Sequence, residues 1–225
     1  MFPSHDPNIP IPCDDVSAYY QNPKHNFVYN KLVLARLQNI PAQHHGVEPT
    51  ELPVFSKPIY NLYGMGFGTQ ILKSWDDDKY LASHMWMPIL KGDEYSTDLA
   101  VINGKIKWFH TMKAYKKRGK FVRWSGSNNK RPIKSINQFV QKHLVNYTGM
   151  CVAETIGDVI IDMGLRFSPQ FCSLYGKKFE KELVTLYERK RFHLELIRGG
   201  HSIVVYNKKH KPRWDKAWGV TVHRS

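Results

Sequence analysis

The stretch Gly149-Met-Cys-Val-Ala-Glu154-Thr-Ile-Gly-Asp158-Val-Ile-Ile-Asp162-Met-Gly164-Leu-Arg166-Phe-Ser168 decides the fold. Two apolar runs, 152–156 and 159–163, flank Gly157-Asp158, a dipeptide suited to a tight reversal, so the segment predicts an antiparallel hairpin. Each run carries one acid. A three-residue turn centred on Asp158 sets Glu154 and Asp162 opposite each other on one face. A two-residue turn at Gly157-Asp158 sends them to opposite faces. In the first arrangement two carboxylates crowd together, which is costly unless a cation bridges them. Mg2+ held by one or two carboxylates plus substrate phosphates suits that arrangement. Arg166, four residues past Asp162, would then reach a γ-phosphate or a substrate carboxylate. The plainer alternative is a solvent-facing hairpin whose acids pair with nearby cations.

Working outward, the next informative stretch is Phe55-Ser-Lys57-Pro-Ile-Tyr-Asn-Leu-Tyr-Gly64-Met-Gly66-Phe-Gly68-Thr. Gly64, Gly66 and Gly68 at alternate positions let backbone amides approach a polyphosphate without side-chain obstruction. Lys57, ending a predicted strand over 53–59, adds a point charge for the same phosphates. A strand over 69–73 follows where a P-loop or a dinucleotide turn would have a helix. A protein-kinase flap has its lysine after the glycines, and the kinase HRD and DFG signatures are absent. The pattern reads as a glycine lid over a nucleotide; a Gly-rich hairpin with a surface lysine is the bland alternative.

Around these two segments the chain predicts an extended arm over 1–24, a helix over 27–38, and strands over 95–100 and 102–109 joined at Asn103-Gly104. A helix over 136–147 capped by Ser135, a helix over 177–189, and a last hairpin of 194–197 with 202–206 complete the pattern. Hairpins and helices without a regular βαβ rhythm point to an α+β fold. The domain reading is an arm over 1–26, nucleotide-binding lobes over 27–175, and a C-terminal helix plus basic hairpin over 176–225 packed on the same domain.

The chain has 225 residues and a net charge of +14, unevenly spread. No acid occurs between 99 and 153, and 116–134 (KKRGKFVRWSGSNNKRPIK) holds eight cations around Phe121 and Trp124. Read as a loop, that piece suits a polyanion: ATP, an acidic peptide or protein, or single-stranded nucleic acid. A solvated surface loop is the neutral alternative, and no nucleic-acid motif is recognisable. The 42% hydrophobic and 23% charged composition excludes wholesale disorder. With no apolar run of membrane-spanning length, no signal-peptide pattern and three cysteines that never form CxxC, the expectation is a cytoplasmic protein without membrane contact or a zinc site. His44 and His45 have no ligand-like companions and are expected at the surface.

The order of these parts resembles the ATP-grasp superfamily. The matching pieces are Asn30-Lys31-Leu32 opening a helix, Pro53-Val-Phe-Ser-Lys57-Pro with its glycine lid, Gly92-Asp-Glu94-Tyr-Ser-Thr-Asp98 entering a strand, and the Glu154…Asp162-x-x-x-Arg166 hairpin, similar to the family's metal-binding strand pair ending in E-x-N-x-R. The likeness covers roughly residues 27–170. It implies a two-lobe fold with antiparallel sheets and an ATP- and Mg2+-dependent ligase that joins a carboxylate to an amine through an acylphosphate. Lys31 and Lys57 would contact ATP phosphates, Gly64, Gly66 and Gly68 would form the lid, and the Met85–Met87 backbone, Trp86 included, would line the adenine pocket. Glu94 would bind ribose, Glu154 and Asp162 would hold Mg2+, and Arg166 and Lys113 would serve the transferred phosphate. Three departures stand out: the family's metal-ligating Asn falls at Gly164, its hinge acid falls near Met87, and its preceding domain is reduced to about 26 residues. A non-catalytic nucleic-acid-binding protein and an inactive ATP-grasp relic are the alternative functions.

Overall fold

The computed structural model describes residues 8–62, 68–75, 81–117, 120–127, 133–168, 172–195, 201–204 and 221–224. Helix α1 (Asp15–Gln21) begins where Asp14 accepts a hydrogen bond from Ser17 N at 2.8 Å. That cap replaces the extended arm expected for this part of the chain. The single helix expected over 27–38 is two pieces, a 3-10 turn (Asn26–Tyr29) and α2 (Lys31–Leu37). Asn30 makes the break: its backbone is extended and its Oδ1 accepts from Val33 N at 3.0 Å, so the helix restarts with Lys31 at its first position.

Two antiparallel sheets follow. The smaller has four strands in the order β1-β4-β2-β3, from β1 (Gln43–His44), β2 (Val54–Pro58), β3 (Gln70–Leu72) and β4 (His84–Pro88). The larger has seven, β11-β10-β7-β6-β5-β8-β9, from β5 (Glu94–Ile102), β6 (Lys105–Lys117), β7 (Lys120–Gly126), β8 (Gly149–Ile156), β9 (Val159–Gly164), β10 (His201–Val204) and β11 (Thr221–Arg224). Successive residues of its central strands enter opposite cores. Leu99, Cys151 and Ala153 pack with α1, α2 and α3 (Lys134–His143), while Ala100, Trp108, Met112 and Met150 pack with α4 (Cys172–Tyr175) and α5 (Lys177–Arg189). Leu183, fully buried on α5, anchors the second core; truncation to Ala costs about 2–5 kcal/mol.

Several local expectations change. The basic 116–134 segment is not simply a loop: Lys116 and Lys117 continue β6 and Lys120–Gly126 form β7, where Val122 and Trp124 favour a strand. Ser135 does not cap α3; Ile133 occupies that position and the Ser135 hydroxyl is buried without a partner. Strand β10 pairs with β7 and β11 rather than with residues 194 and 195; residues 196 and 197 of that expected strand lie outside the described ones. His45 is buried, its Nε2 2.8 Å from Ser56 Oγ, whereas His44 is exposed. None of the described helices is long and apolar enough to cross a membrane.

Candidate functional site

The β8–β9 hairpin has the two-residue turn Gly157-Asp158, with Ile156 opposite Val159 and Thr155 opposite Ile160. That turn alone would separate the acids. A β-bulge between Glu154 and Thr155 inserts Ile161 as an unpaired residue on β9, and the register resumes with Glu154 opposite Asp162. The two carboxylates therefore share the face that Ser96 and Asp98 also occupy, since β5 pairs Ser96 with Glu154 and Asp98 with Val152. The bulge also turns the Ile161 carbonyl outward, where Lys57 Nζ donates to it at 2.8 Å.

The outer edge of β9 would be an unpaired row of backbone groups, and α2 closes it. Gln38 accepts from Ile160 N and donates to Ile160 O, both at 2.8 Å. Lys31 N donates to Ile59 O at 2.9 Å, tying the start of α2 to the chain just past β2. These contacts bring the two lysines together over the acids. Lys31 Nζ lies 2.9 Å from Asp162 Oδ1, and both lysines are buried, each 6% exposed.

The electrostatics are those of a crowded site. Burial, and then the neighbouring Asp162 and Glu94, push the Glu154 carboxyl up to about 7. Among the described residues the Glu154 carboxylate takes no hydrogen bond or ion pair, and the Ser96 hydroxyl opposite it is fully buried without a partner. Burial lowers Lys57 to about 8, against the pull of Asp162 and Glu154. Two of its ammonium hydrogens have no acceptor among the described residues. An underdonated acid pair beside two buried cations fits a divalent ion and phosphate oxygens, which would supply what both sets lack. Among the described residues no group of three or more His, Cys, Asp or Glu is arranged to hold a metal by itself.

The remaining sequence candidates fall in different places. Glu94 lies on the same face as Glu154 and forms an ion pair with Lys116. Arg166 is also near, but its guanidinium is held by Asp15: Nε donates to Oδ1 at 2.8 Å and Nη2 to Oδ2 at 2.6 Å. Lys113 stands opposite Tyr95, one residue out of phase with Ser96, so it points to the other face of the sheet and pairs with Asp93 at 2.6 Å. That alternation keeps it away from Glu154 and Asp162. Met87 faces the α2 side with Met85, whereas Trp86 turns the other way and its Nε1 donates to Val47 O at 2.6 Å. Met85 and Trp86 have strands on both sides, whereas Met87 lies beyond the end of β1 and has only Phe55 of β2 opposite it. Gly68 packs on Pro58 and His84, next to Lys57 in β2, while Gly64 and Gly66 lie outside the described residues.

Two residues are absent from the sequence reading of the site. Asp15 approaches from α1, far away in sequence, and no local pattern marks it. Asp98 was visible as part of a motif but not as a buried acid; it accepts from Ser168 N at 3.0 Å and from the Tyr175 hydroxyl, and burial raises it to about 6. Its place just before the apolar run Leu99–Ile102 of β5 was the one available signal.

No family model and no curated protein sequence matches the chain. Solved structures do. An L-amino acid ligase from Bacillus licheniformis superposes with a TM-score of 0.57 at 11% identity, over 84% of this chain and 54% of that one. A putative ATP-grasp superfamily protein from Archaeoglobus fulgidus gives 0.54 at 12% identity, over 94% and 67%. A biotin carboxylase from Campylobacter jejuni, solved as a β,γ-ATP complex, gives 0.55 at 12% identity, over 82% and 55%. The chain thus spans between about half and two thirds of the length of these structures. At such identities the likeness speaks for architecture: the chain has an α+β fold of the ATP-grasp type, built from two antiparallel sheets with helices on the larger one.

Proposed function

We propose that the chain is an ATP-dependent ligase that joins a carboxylate to an amine, with Mg2+ at Glu154 and Asp162. The observation that carries this reading is the convergence of Lys31, Lys57, Glu154 and Asp162, from α2, β2, β8 and β9, at one junction of the two sheets. A bound Mg2+ would neutralise phosphate charge and draw electron density from the transferred phosphorus.

The chain's own residues supply positioning and charge. Lys31 and Lys57 would take phosphate oxygens, Lys57 with the two hydrogens that the Ile161 carbonyl leaves over. The Met85–Met87 segment of β4, Trp86 included, would line the adenine pocket, and Glu94 would take the ribose hydroxyls. Gly64, Gly66 and Gly68, the first two outside the described residues, would offer backbone amides to the phosphates. A substrate carboxylate oxygen then forms a bond to the γ-phosphorus and ADP leaves with the bridging oxygen. The amine attacks the acyl carbon, loses a proton, and phosphate departs, leaving an amide. Arg166 would neutralise charge on the transferred group; Lys113, on the opposite face, is assigned no part.

Incubation with ATP, Mg2+ and mixed carboxylic and amino acids, followed by mass spectrometry, tests this. Formation of ADP, phosphate and an amide, lost in Asp162→Asn, is the expected result. Nucleotide binding with no ADP formed from any acid–amine combination overturns the ligase reading and leaves an ATP-binding relic.

A further inference from the structure

Arg166, two residues past the end of β9, lies within electrostatic reach of Glu154, yet its guanidinium forms no ion pair with either site acid. Asp15, 12% exposed at the start of α1, takes the side fork of the guanidinium through Nε and Nη2, and Phe167 O accepts from Nη1 at 2.9 Å. A guanidinium has five N–H groups. Among the described residues one N–H therefore remains on each of Nη1 and Nη2. Planar, twice-anchored and still a donor at its far end, Arg166 has the form of a fixed anion-binding prong.

Gly164 makes room for this arrangement. A Cβ there would stand 2.8 Å from Asp15 Oδ1 and 3.2 Å from Val152 Cγ1, so any side chain would displace the carboxylate. Helix α1 is in turn held in place: Ala18 is fully buried in the first core and Tyr19 packs edge-on against Tyr29, whose hydroxyl accepts from Leu165 N at 2.8 Å. Without Asp15, Arg166 would be free to turn toward Glu154 and Asp98, both within its electrostatic reach.

We propose that Asp15 is a positioning residue that fixes Arg166 so that its two remaining N–H groups meet the terminal phosphate of a nucleotide held at Glu154 and Asp162. This rests on the nucleotide reading of the site and adds to it a role for α1. Because ADP lacks that terminal phosphate, the role is specific: it separates triphosphate from diphosphate.

Titration calorimetry of the full chain with MgATP and with MgADP tests it in wild type, Asp15→Asn, Gly164→Ala, Arg166→Gln and the Asp15→Asn/Arg166→Gln double variant. Each single variant is expected to lose on the order of tenfold in MgATP affinity with MgADP affinity unchanged, the size expected for charge-assisted hydrogen bonds. The double variant should be no weaker than Arg166→Gln, because both changes remove one device. Asp15→Asn and Gly164→Ala reach the same carboxylate by different routes, so failure of one to fold leaves the other to decide. Equal losses for MgATP and MgADP, or no loss in either, overturn the proposal while the nucleotide reading survives. A wild-type chain that binds neither nucleotide overturns both.

Discussion

Replacing Lys57 by Met removes a buried ammonium while keeping most of its volume, in a side chain that is 6% exposed. The unliganded protein should tolerate the change. Asp162 retains Lys31 at 2.9 Å, and Lys57 itself is held at about 8 because burial disfavours its charge. Its unliganded melting temperature should therefore stay within about 3 °C of wild type, roughly 1 kcal/mol at this chain length. Nucleotide binding should respond differently. A charged hydrogen bond to phosphate contributes about 1.5–3 kcal/mol, so affinity for MgATP should fall about 10- to 150-fold. At MgATP about 100 times the wild-type Kd, ligand stabilisation is about 2.7 kcal/mol, and a roughly 30-fold weaker variant retains about 0.9 kcal/mol. The thermal shift should then drop from about 5–11 °C to about 2–4 °C. Differential scanning fluorimetry with and without MgATP reads both numbers. A Lys57→Met protein that shifts as far as wild type would refute the placement of phosphates beside this lysine.

Proton linkage gives a second test. With Glu154 raised to about 7 and Lys57 lowered to about 8, the bound state favours ionised Glu154 and charged Lys57, so MgATP affinity should rise through about 7, fall above about 8, and release a proton on the acid side. Calorimetry in buffers of different ionisation enthalpy measures that proton; a flat profile contradicts it. In the unliganded chain the same shifts act with opposite signs on stability. The raised Glu154 makes stability fall as pH climbs from about 4.5 to 7, and the lowered Lys57 makes it rise from about 8 to 10.5. Glu154→Gln should flatten the acid-side slope in denaturant melts and abolish the Mg2+ dependence of nucleotide binding; an unchanged slope would show that Glu154 is not the crowded acid. Tyr175→Phe removes a donor to fully buried Asp98 and should cost about 1–3 kcal/mol at pH 7. The cost should shrink at pH 5, below the value of about 6 where Asp98 takes up its proton; equal costs at both pH values would assign the loss to packing alone.

The strands and helices that carry their own turn and cap signals were legible in the sequence: Asn103-Gly104, Gly157-Asp158 and the 3.6-residue periodicity of α5 all lie where local chemistry puts them. The facing of Glu154 and Asp162 was only half legible. Gly157-Asp158 marks the reversal but leaves its length open between two and three residues, and the bulge at Ile161 depends on contacts from α2 and Lys57 that no hairpin-local pattern encodes. The break in the helix at Asn30 was missed because periodicity runs through it, although Asn is itself a strong capping residue. Asp15 escapes because its partner is Arg166, 151 residues away in the sequence, and because the stretch around it reads as an extended arm. Lys113 was misplaced by strand parity: one residue of alternation decides between the site face and its reverse.

On the proposed function, a nucleotide's phosphates and a divalent ion would meet between the two buried lysines and the two facing acids. Crystals of the chain grown with Mn2+ and a non-hydrolysable ATP analogue test it most directly, because manganese scatters anomalously. One anomalous peak bonded to both the Glu154 and Asp162 carboxylates, with phosphate density against Lys31 and Lys57, is the expected result. A peak elsewhere, or nucleotide density away from the β8–β9 hairpin, would contradict it.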